Sequence, residues 1–420
     1  MRLLARTLGL IAVVSFISFA SRAQDNNKQS LLVEGNTAFA FDLYHQLASE
    51  QDGNLIFSPY SISLNMALLY AGAKGETAEQ MAKVLHFTLP QDQFHPAFKD
   101  LDLSLKRTQD EPLVPTPTLE YVNPAVDLTL TIANGLWAQR GLPFNYDYQR
   151  IIQNNYGVDV NTVDFAGDPE GAQQTISHWV EESTRGRIRN MPAPGSITSQ
   201  TQLALINAIY FKGEWAYPFD IGKTHDGMFT LIDGNKVTVP MMIHDFGDIP
   251  CLRTLGYRAV NLSYGQTENA SMLIILPDTG SFQAIENNMS TEMFNTIQRV
   301  MAVTNSSNFE MPRFHFESKF DLHEALLKLG LSLPFRPNAD FTSMSPQHGL
   351  SIGYAEHRAT ITVDEEGTEA VGVTATLSLL LGRGNDCSDK IIADRPFIFI
   401  IYDHATSTIL FMGRVVNPAA

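Results

Sequence analysis

The chain has 420 residues and a formal net charge of −16, from 29 Lys+Arg against 45 Asp+Glu. A hydrophobic content of 44% with 18% charged residues is typical of a globular protein and excludes a disordered one. The acidic excess argues against partners such as nucleic acid or an anionic membrane surface. Two cysteines, Cys251 and Cys387, are too few for a disulfide framework or a cysteine-rich zinc site.

The first segment of the chain has the pattern of a secretory signal peptide. Two arginines precede an apolar run of 13 residues, Leu8–Ala20, which is too short to cross a bilayer as a helix. The small residues Ser21 and Ala23 then suit a cleavage site. A membrane anchor or a buried helix is the alternative interpretation. We predict removal of residues 1–23 and secretion of the domain formed by residues 24–420, into the extracellular space or a bacterial periplasm.

Helices are predicted mainly in the first third of the chain, where apolar residues recur three or four positions apart. Glycines that follow these stripes suit helix ends. A proline-rich stretch, Arg107–Asp127, interrupts the helices and is predicted to be a long surface loop. The stripes are Phe39, Leu43 and Leu47; Leu64, Ala67, Leu68 and Ala71 before Gly72; Ile176, Trp179 and Val180 before Gly186; and Leu322, Ala325, Leu326 and Leu329 before Gly330.

Strands are predicted in most of the remaining chain. Continuous apolar runs indicate strands that are buried on both faces, whereas Thr360–Val363 alternates as a half-buried strand does. Helices followed by strands, without regular βα alternation, predict an α+β fold with a large mixed or antiparallel sheet. With neither a repeat nor a linker, we expect one domain. The apolar runs are Leu203–Phe211, Ser271–Leu276, Phe397–Tyr402 and Ile409–Met412.

Motifs of the common enzyme and metal sites are missing from the sequence. It has no G-x-S-x-G, Walker loop, H-E-x-x-H or C-x-x-C motif. Asp278-Thr279-Gly280 resembles one half of an aspartic-protease site, but that chemistry needs a second such turn. We therefore interpret Asp278–Gly280 as a polar turn after a strand, and predict no catalytic residue, no metal and no cofactor.

One long segment near the C-terminus has no obvious place in a core. Asp364–Glu366 is acidic, small and β-branched residues follow as far as Thr376, and the next buried strand starts only near Pro396. Such a loop is uncommon in a compact domain unless it is functional.

Ordered motifs along almost the whole mature chain resemble the serpin family, from about Asn36 to Pro418. The last two motifs match the family's C-terminal strands, and Asn207–Trp215 matches a strand of its central sheet. The matching segments are Asn54–Ser61, Leu69–Gly75, Asn207–Trp215, Met311–Phe314, Lys328–Gly330, Phe341–Ser345, Asp394–Phe397 and Phe411–Pro418.

The resemblance implies one domain of three β-sheets and eight or nine helices, with an exposed reactive loop at about residues 364–394. A serine protease cleaves this loop and is held as a covalent acyl-enzyme, while the loop inserts into the main sheet as a new strand. The expected protein is a protease inhibitor and not an enzyme. It is a monomer that can form loop–sheet polymers, and it binds neither nucleic acid nor a membrane.

The hinge of the loop has a composition that suits insertion. An inserted strand buries alternate side chains, so small uncharged residues are needed at every second position. Gly367 is expected to give flexibility, and Glu365 matches the family's hinge glutamate. Val371 and Val373, which depart from the family's small residues, fall on the face toward solvent. The positions predicted to face inward are Thr368, Ala370, Gly372 and Thr374.

Family spacing places the scissile residue sixteen positions after Glu365, which gives cleavage between Leu381 and Gly382. An apolar residue there suits chymotrypsin-like or elastase-like proteases. Cleavage between Arg383 and Gly384, by a trypsin-like protease, is the alternative.

Other residues carry over from the family as controls on the opening of the sheet. Trp215 matches an aromatic residue at the top of that opening, and a polar cluster lies beneath it. The polar cluster consists of Ser58, Ser61, Asn207 and His357.

Three questions stay open at the level of sequence. The basic residues of the early helices are sparse, so we expect no glycosaminoglycan cofactor. A non-inhibitory carrier or chaperone with the same fold is the alternative function. Cys387 lies on the loop beyond the predicted cut and is either free or paired with Cys251.

Overall fold

The computed structural model describes residues 27–110, 128–245, 249–265, 268–306, 308–368 and 390–420. These parts of the chain contain nine α-helices and three β-sheets. The predicted α+β architecture is thereby confirmed. The predicted signal peptide and most of the proline-rich stretch lie outside the described residues, although the helix before that stretch extends to Asp110.

The helices are α1 (residues 27–48), α2 (Pro59–Tyr70), α3 (Gly75–Val84), α4 (Gln91–Asp110), α5 (Tyr146–Tyr156), α6 (Pro169–Ser183), α7 (Phe282–Asn287), α8 (Thr291–Val300) and α9 (Leu322–Lys328).

The strands are β1 (Leu55–Phe57), β2 (Leu128–Gln139), β3 (Asn161–Val163), β4 (Leu203–Glu214), β5 (His225–Thr230), β6 (Lys236–His244), β7 (Ile249–Arg253), β8 (Tyr257–Tyr264), β9 (Ala270–Pro277), β10 (Ala302–Ser306), β11 (Phe309–Pro312), β12 (Phe314–Asp321), β13 (Ile352–Val363), β14 (Gly367–Thr368), β15 (Ile391–Ile392), β16 (Phe397–Asp403) and β17 (Ile409–Val415).

The strands form a main sheet and two further sheets. The main sheet has the order β12-β13-β4-β2-β3, with β14 paired to β4. A seven-stranded sheet has the order β1-β17-β16-β9-β8-β7-β10, and a four-stranded sheet the order β15-β11-β6-β5. The apolar runs predicted as buried strands form β4, β9, β16 and β17, and every residue of the last three is buried.

Helix α2 lies in the core beside the main sheet, although its apolar stripe predicted only one buried face. Pro59 occupies its first turn, where a missing N–H is harmless. Ser58 caps the helix, since its hydroxyl accepts a hydrogen bond from the Ser61 amide at 3.2 Å. Every residue of α2 except Leu64 is buried, and the Asn65 amide donates to the Ile206 carbonyl of β4 at 2.8 Å.

A buried ion pair fastens the seven-stranded sheet to two helices. Arg414 of β17 lies 2.8 Å from the carboxylate of Glu286 in α7, and the Tyr44 hydroxyl of α1 donates to the same carboxylate at 2.9 Å. The guanidinium also donates to the Gly53 carbonyl at 3.1 Å. Buried charges persist in a fold only when they are paired in this way.

Candidate functional site

The parallel strands β4 and β13 separate at one end of the main sheet. They pair from Ile352 with Leu203 to Thr360 with Tyr210, whereas β4 continues to Glu214. Beyond Tyr210, β14 pairs antiparallel with β4, with Thr368 opposite Gly213. Because β2 occupies the other edge of β4 there, β14 lies on the side of β13. The loop therefore begins as a short strand at the open end of the junction between β4 and β13.

Gly367 lies where the returning chain comes closest to β4. A Cβ atom at this position would lie 2.3 Å from the Gly213 carbonyl oxygen and 2.7 Å from the Glu214 Cα. No larger residue fits against backbone at these distances. The requirement for glycine is thus steric, whereas the sequence suggested flexibility.

Thr368 is buried and faces the interior of the protein. Its exposed fraction is 1%, and its Oγ1 lies 2.9 Å from the Tyr264 hydroxyl, which is a hydrogen bond. Trp215 stacks on the Tyr264 ring with centroids 4.5 Å apart. The Thr368 side chain is therefore held by Tyr264, which Trp215 supports from behind.

Trp215 and Phe219, which follow β4, hold the turn between β13 and β14. The indole N–H of Trp215 donates to the Asp364 carbonyl at 3.0 Å, and its amide donates to the Glu366 carbonyl at 3.1 Å. The Phe219 amide donates to the Glu365 carbonyl at 2.8 Å. The turn is therefore fixed by Trp215 and Phe219.

The Glu365 side chain is anchored beside this turn. Its carboxylate oxygens lie 2.5 and 2.7 Å from Nη2 of Arg313, and the Thr224 hydroxyl donates at 2.6 Å. Burial by itself would raise the pKa of Glu365, but the hydrogen bonds from Arg313 and Thr224 outweigh it and hold that pKa below its ordinary value. Glu365 is charged at neutral pH and fixes the start of the loop.

The far end of the loop is anchored on β11, the short strand that directly precedes Arg313. Strand β15 pairs with β11 through Ile391 and Ile392 only. Just before it, the Lys390 ammonium lies 2.5 Å from the carboxylate of Glu310, whose side chain is 4% exposed. Glu310 belongs to β11 and Arg313 directly follows it, so a single segment carries an anion for one end of the loop and a cation for the other.

A polar network lies beneath the paired part of the junction. His357 Nδ1 donates to Asn207 Oδ1 across the two strands, and the Ser58 amide donates to His357 Nε2 at 3.3 Å. The Asn207 amide donates to the Ser61 hydroxyl and to Asn134 Oδ1, both at 2.7 Å. The structure thus brings Ser58, Ser61, Asn207 and His357 together, and it adds Asn134 of β2.

Trp215 lies apart from this network. It is eight residues beyond Asn207 along the chain, about 26 Å at the rise of a strand. The residues predicted to control opening therefore form two separate groups, one under the paired part of the junction and one at its open end.

Several residues of these groups carry no local signal in the sequence. Arg313 and Thr224 are 52 and 141 positions from Glu365, and Tyr264 is 104 positions from Thr368. Only the register of the strands brings them together.

The remaining predicted loop residues lie outside the described residues. They are Ala370, Gly372, Thr374, Leu381, Gly382, Arg383, Gly384 and Cys387. Cys251 is buried in β7 and disulfide-bonded. Cys387 is the other cysteine of the chain.

Three further findings concern metal-binding clusters, Asp278 and long apolar helices among the described residues. No group of three His, Cys, Asp or Glu side chains among them could hold a metal ion. Asp278 lies in a turn in which the Ser281 amide donates to its carbonyl at 2.9 Å, which is the interpretation made from the sequence. In the described ranges, no helix is long and apolar enough to cross a bilayer.

Comparison with known proteins gives a match to one family over most of the chain. The family model for serpins, described as serine protease inhibitors, matches residues 34–418. An uncharacterized serpin-like protein of Thermococcus kodakarensis is 36% identical over 92% of this chain and 86% of its own length. The leukocyte elastase inhibitor of Sus scrofa is 34% identical over 92% of this chain and 99% of its own length.

Solved structures show the same likeness. Human thyroxine-binding globulin in complex with thyroxine has a TM-score of 0.78 and 29% identity, covering 94% of this chain and 100% of that one. Uncleaved ovalbumin has a TM-score of 0.77 and 26% identity, covering 92% and 100%.

His357 should make the folded protein sensitive to acid. Burial lowers the pKa of His357 to about 3, whereas the pKa of a histidine in an unfolded chain is about 6.5. Between these values the unfolded chain binds a proton that the folded chain does not. The contribution of His357 to the free energy of unfolding should therefore be fully present above about pH 6.5. It should decrease as the pH falls toward pH 3, by up to about 1.4 kcal/mol per pH unit.

Thermal melting of the wild type and of His357→Gln from pH 7 to pH 4 (roughly the range between the two pKa values) measures this effect. The variant should be less stable at neutral pH and show a shallower dependence on pH. His178→Gln is the matched control, because the His178 side chain is 72% exposed. Equal slopes in the wild type and His357→Gln would contradict the assignment.

Proposed function

Since this chain belongs to the serpin family, we propose that it is a secreted inhibitor that traps serine proteases as acyl-enzymes by inserting its cleaved loop between β4 and β13. Family membership supports serine-protease inhibition in general and a role other than catalysis. One observation carries the mechanism: Gly367 and Thr368 already pair with β4 at the open end of the junction. Continuation of that pairing is the insertion step.

Hydrogen bonds supply a driving force for this step. A strand placed between β4 and β13, which have 12 residues each, breaks the pairs that now join them. It gains backbone partners on both of its edges, so the number of hydrogen bonds rises. At about 0.5–1.5 kcal/mol net for each bond, full insertion releases on the order of 10 kcal/mol or more. The uncleaved protein is then kinetically stable and not at its free-energy minimum.

The target that we propose is chymotrypsin-like or elastase-like, with cleavage between Leu381 and Gly382. The names of the porcine and bovine relatives, leukocyte elastase inhibitors, support an apolar specificity. A carrier function is the second candidate, because a solved structure similar to this chain is that of thyroxine-binding globulin with thyroxine. Failure to trap any protease would favour the carrier.

We propose export after removal of residues 1–23. The disulfide at Cys251 supports it, because disulfides persist in oxidising compartments outside the cytosol. Expression of the full chain in a secreting host, followed by N-terminal sequencing of the exported protein, should give a chain that starts at Gln24. Retention of Met1 in the exported or membrane fraction would contradict this proposal.

Incubation with a chymotrypsin-like protease should give an SDS-stable complex, and mass spectrometry should show a released peptide that starts at Gly382. The gel needs a reductant, because that peptide carries Cys387 and Cys251 is disulfide-bonded. Leu381→Arg should transfer complex formation to a trypsin-like protease.

Arg383→Ala is the matched control and should leave the chymotrypsin-like complex unchanged. A released peptide that starts at Gly384, with a complex only for the trypsin-like protease, would show that Arg383 is the scissile residue. Cleavage without any complex, over a panel of serine proteases, would refute inhibition.

Thr368→Arg should convert the inhibitor into a substrate. Thr368 is already 1% exposed before cleavage, so an arginine here would displace β14 from β4 and would have to be buried without a partner for insertion to proceed. A gel with the cognate protease should show cleaved protein in place of the complex, while circular dichroism confirms that the variant folds.

Val371→Arg places the same charge on the face that the sequence predicts to remain in solvent. It should keep most of the complex formation of the wild type. Equal behaviour of the two variants would contradict the alternation that we assign to the inserted strand.

A further inference from the structure

A cavity lies directly behind the hinge, between the segment after β4 and the strands β6, β7 and β8. Its volume is about 130 Å³. A cavity of about 150 Å³ is known to accept a benzene molecule. The space therefore suits a ligand with a single ring or a short branched chain.

Aromatic side chains form much of the wall of this cavity. Trp215, Tyr217 and Phe219 line it together with His244. The Phe219 ring lies 6.0 Å from the Trp215 ring and 5.3 Å from the His244 ring, both edge to face. Aromatic faces arranged around a small space attract organic cations.

The polar groups at the cavity include hydrogen-bond acceptors and an acid, beside the Asn261 amide and the Ser263 hydroxyl, which can also donate. His244 is 3% exposed, and its Nδ1 has no hydrogen-bond partner among the described residues. Burial lowers the pKa of His244, so its ring is neutral at neutral pH. Glu268 also lines the cavity, and neither Lys nor Arg does so among the described residues.

Two acids and one base are packed near the cavity. Asp245 directly follows His244 and lies beside Lys223, which also contacts Asp220. One oxygen of Asp245 is buried with no hydrogen-bond partner in the described part of the chain. Together with Glu268 of the lining, these groups carry more negative than positive charge.

We propose that this cavity binds a small organic ammonium ion. The apolar part of the ligand packs against Trp215, Tyr217 and Phe219. Its N–H groups donate to His244 Nδ1 and to the Glu268 carboxylate, which satisfies the unpaired acceptor.

Occupancy of the cavity is coupled to the hinge through its walls. Trp215 and Phe219 also donate the backbone hydrogen bonds that hold Glu366 and Glu365. A ligand that packs against both residues holds the turn on the segment after β4, and so resists the separation of β13 from β4 that insertion requires. This regulatory consequence rests on the proposed inhibitory function, whereas binding itself does not.

Binding can be measured on the mature protein with benzylammonium as the probe. Titration at constant ionic strength should give saturable quenching of tryptophan fluorescence, with a matching heat signal in calorimetry. Benzyl alcohol, a neutral analogue of the same shape, should bind roughly tenfold more weakly, because it lacks the cation. Absence of saturable binding, or equal affinity for the two probes, would overturn the proposal.

Variants locate the site. Glu268→Gln and Tyr217→Leu should each weaken benzylammonium binding several-fold, while Glu292→Gln, an exposed acid on α8, should leave it unchanged. Unchanged affinity in both cavity variants would place the ligand elsewhere and refute this site.

The coupling is tested by titrating a chymotrypsin-like protease with the inhibitor, with and without benzylammonium. The probe should raise the amount of inhibitor needed per protease for the wild type but not for Tyr217→Leu, which controls for effects on the protease. No change in the wild type at saturation would refute the coupling. If the protein inhibits no protease at all, the fluorescence titration still decides the binding site.

Discussion

The junction between β4 and β13 is the interaction on which the rest of this structure depends. Parallel pairing is somewhat less stable per residue than antiparallel pairing, and both strands lie inside the main sheet with antiparallel neighbours on their outer edges. Separation of these two strands therefore leaves two intact halves of a sheet. Few other places in the sheet would open without breaking an antiparallel ladder.

The polar network beneath the junction links the two halves of the main sheet to each other and to α2. His357 and Asn207 face each other across the strands, and Ser58 and Ser61 belong to the cap and first turn of α2. A buried network whose members are paired stabilises one arrangement strongly and is lost as a unit. The junction is thus held by bonds that break together, which makes its opening a discrete event.

Sequence reasoning was most successful where the signal is local. Runs such as Phe397–Tyr402 predicted strands that the structure contains, and Gly330 follows α9 as predicted. The stripe in α2 predicted a helix, but not that almost all of it is buried, because a period of 3.6 describes one face only.

Contacts across the fold were the part that sequence could not give. The pairing of Arg313 with Glu365, and of Tyr264 with Thr368, depends on strand register and on distances through space. Gly367 shows the same limit. Its residue type pointed to freedom of the backbone, while the structure gives the close approach to Gly213 as the reason for glycine.

The two anchors, Glu310 on β11 and Arg313 just after it, limit how the intact loop can move. Between Glu365 and Lys390 the chain has 24 residues, and the partners of these two residues lie three positions apart, about 10 Å along a strand. Filling a junction as long as the 12-residue β13 and returning to β15 would take the whole of that chain and leave nothing for the turn. For the insertion that we propose, an uncut loop is therefore too short to fill the sheet while Lys390 stays on Glu310. In this mechanism the length of the chain prevents full insertion of the intact loop. Cleavage removes that limit, because the inserted part is then no longer connected to Lys390.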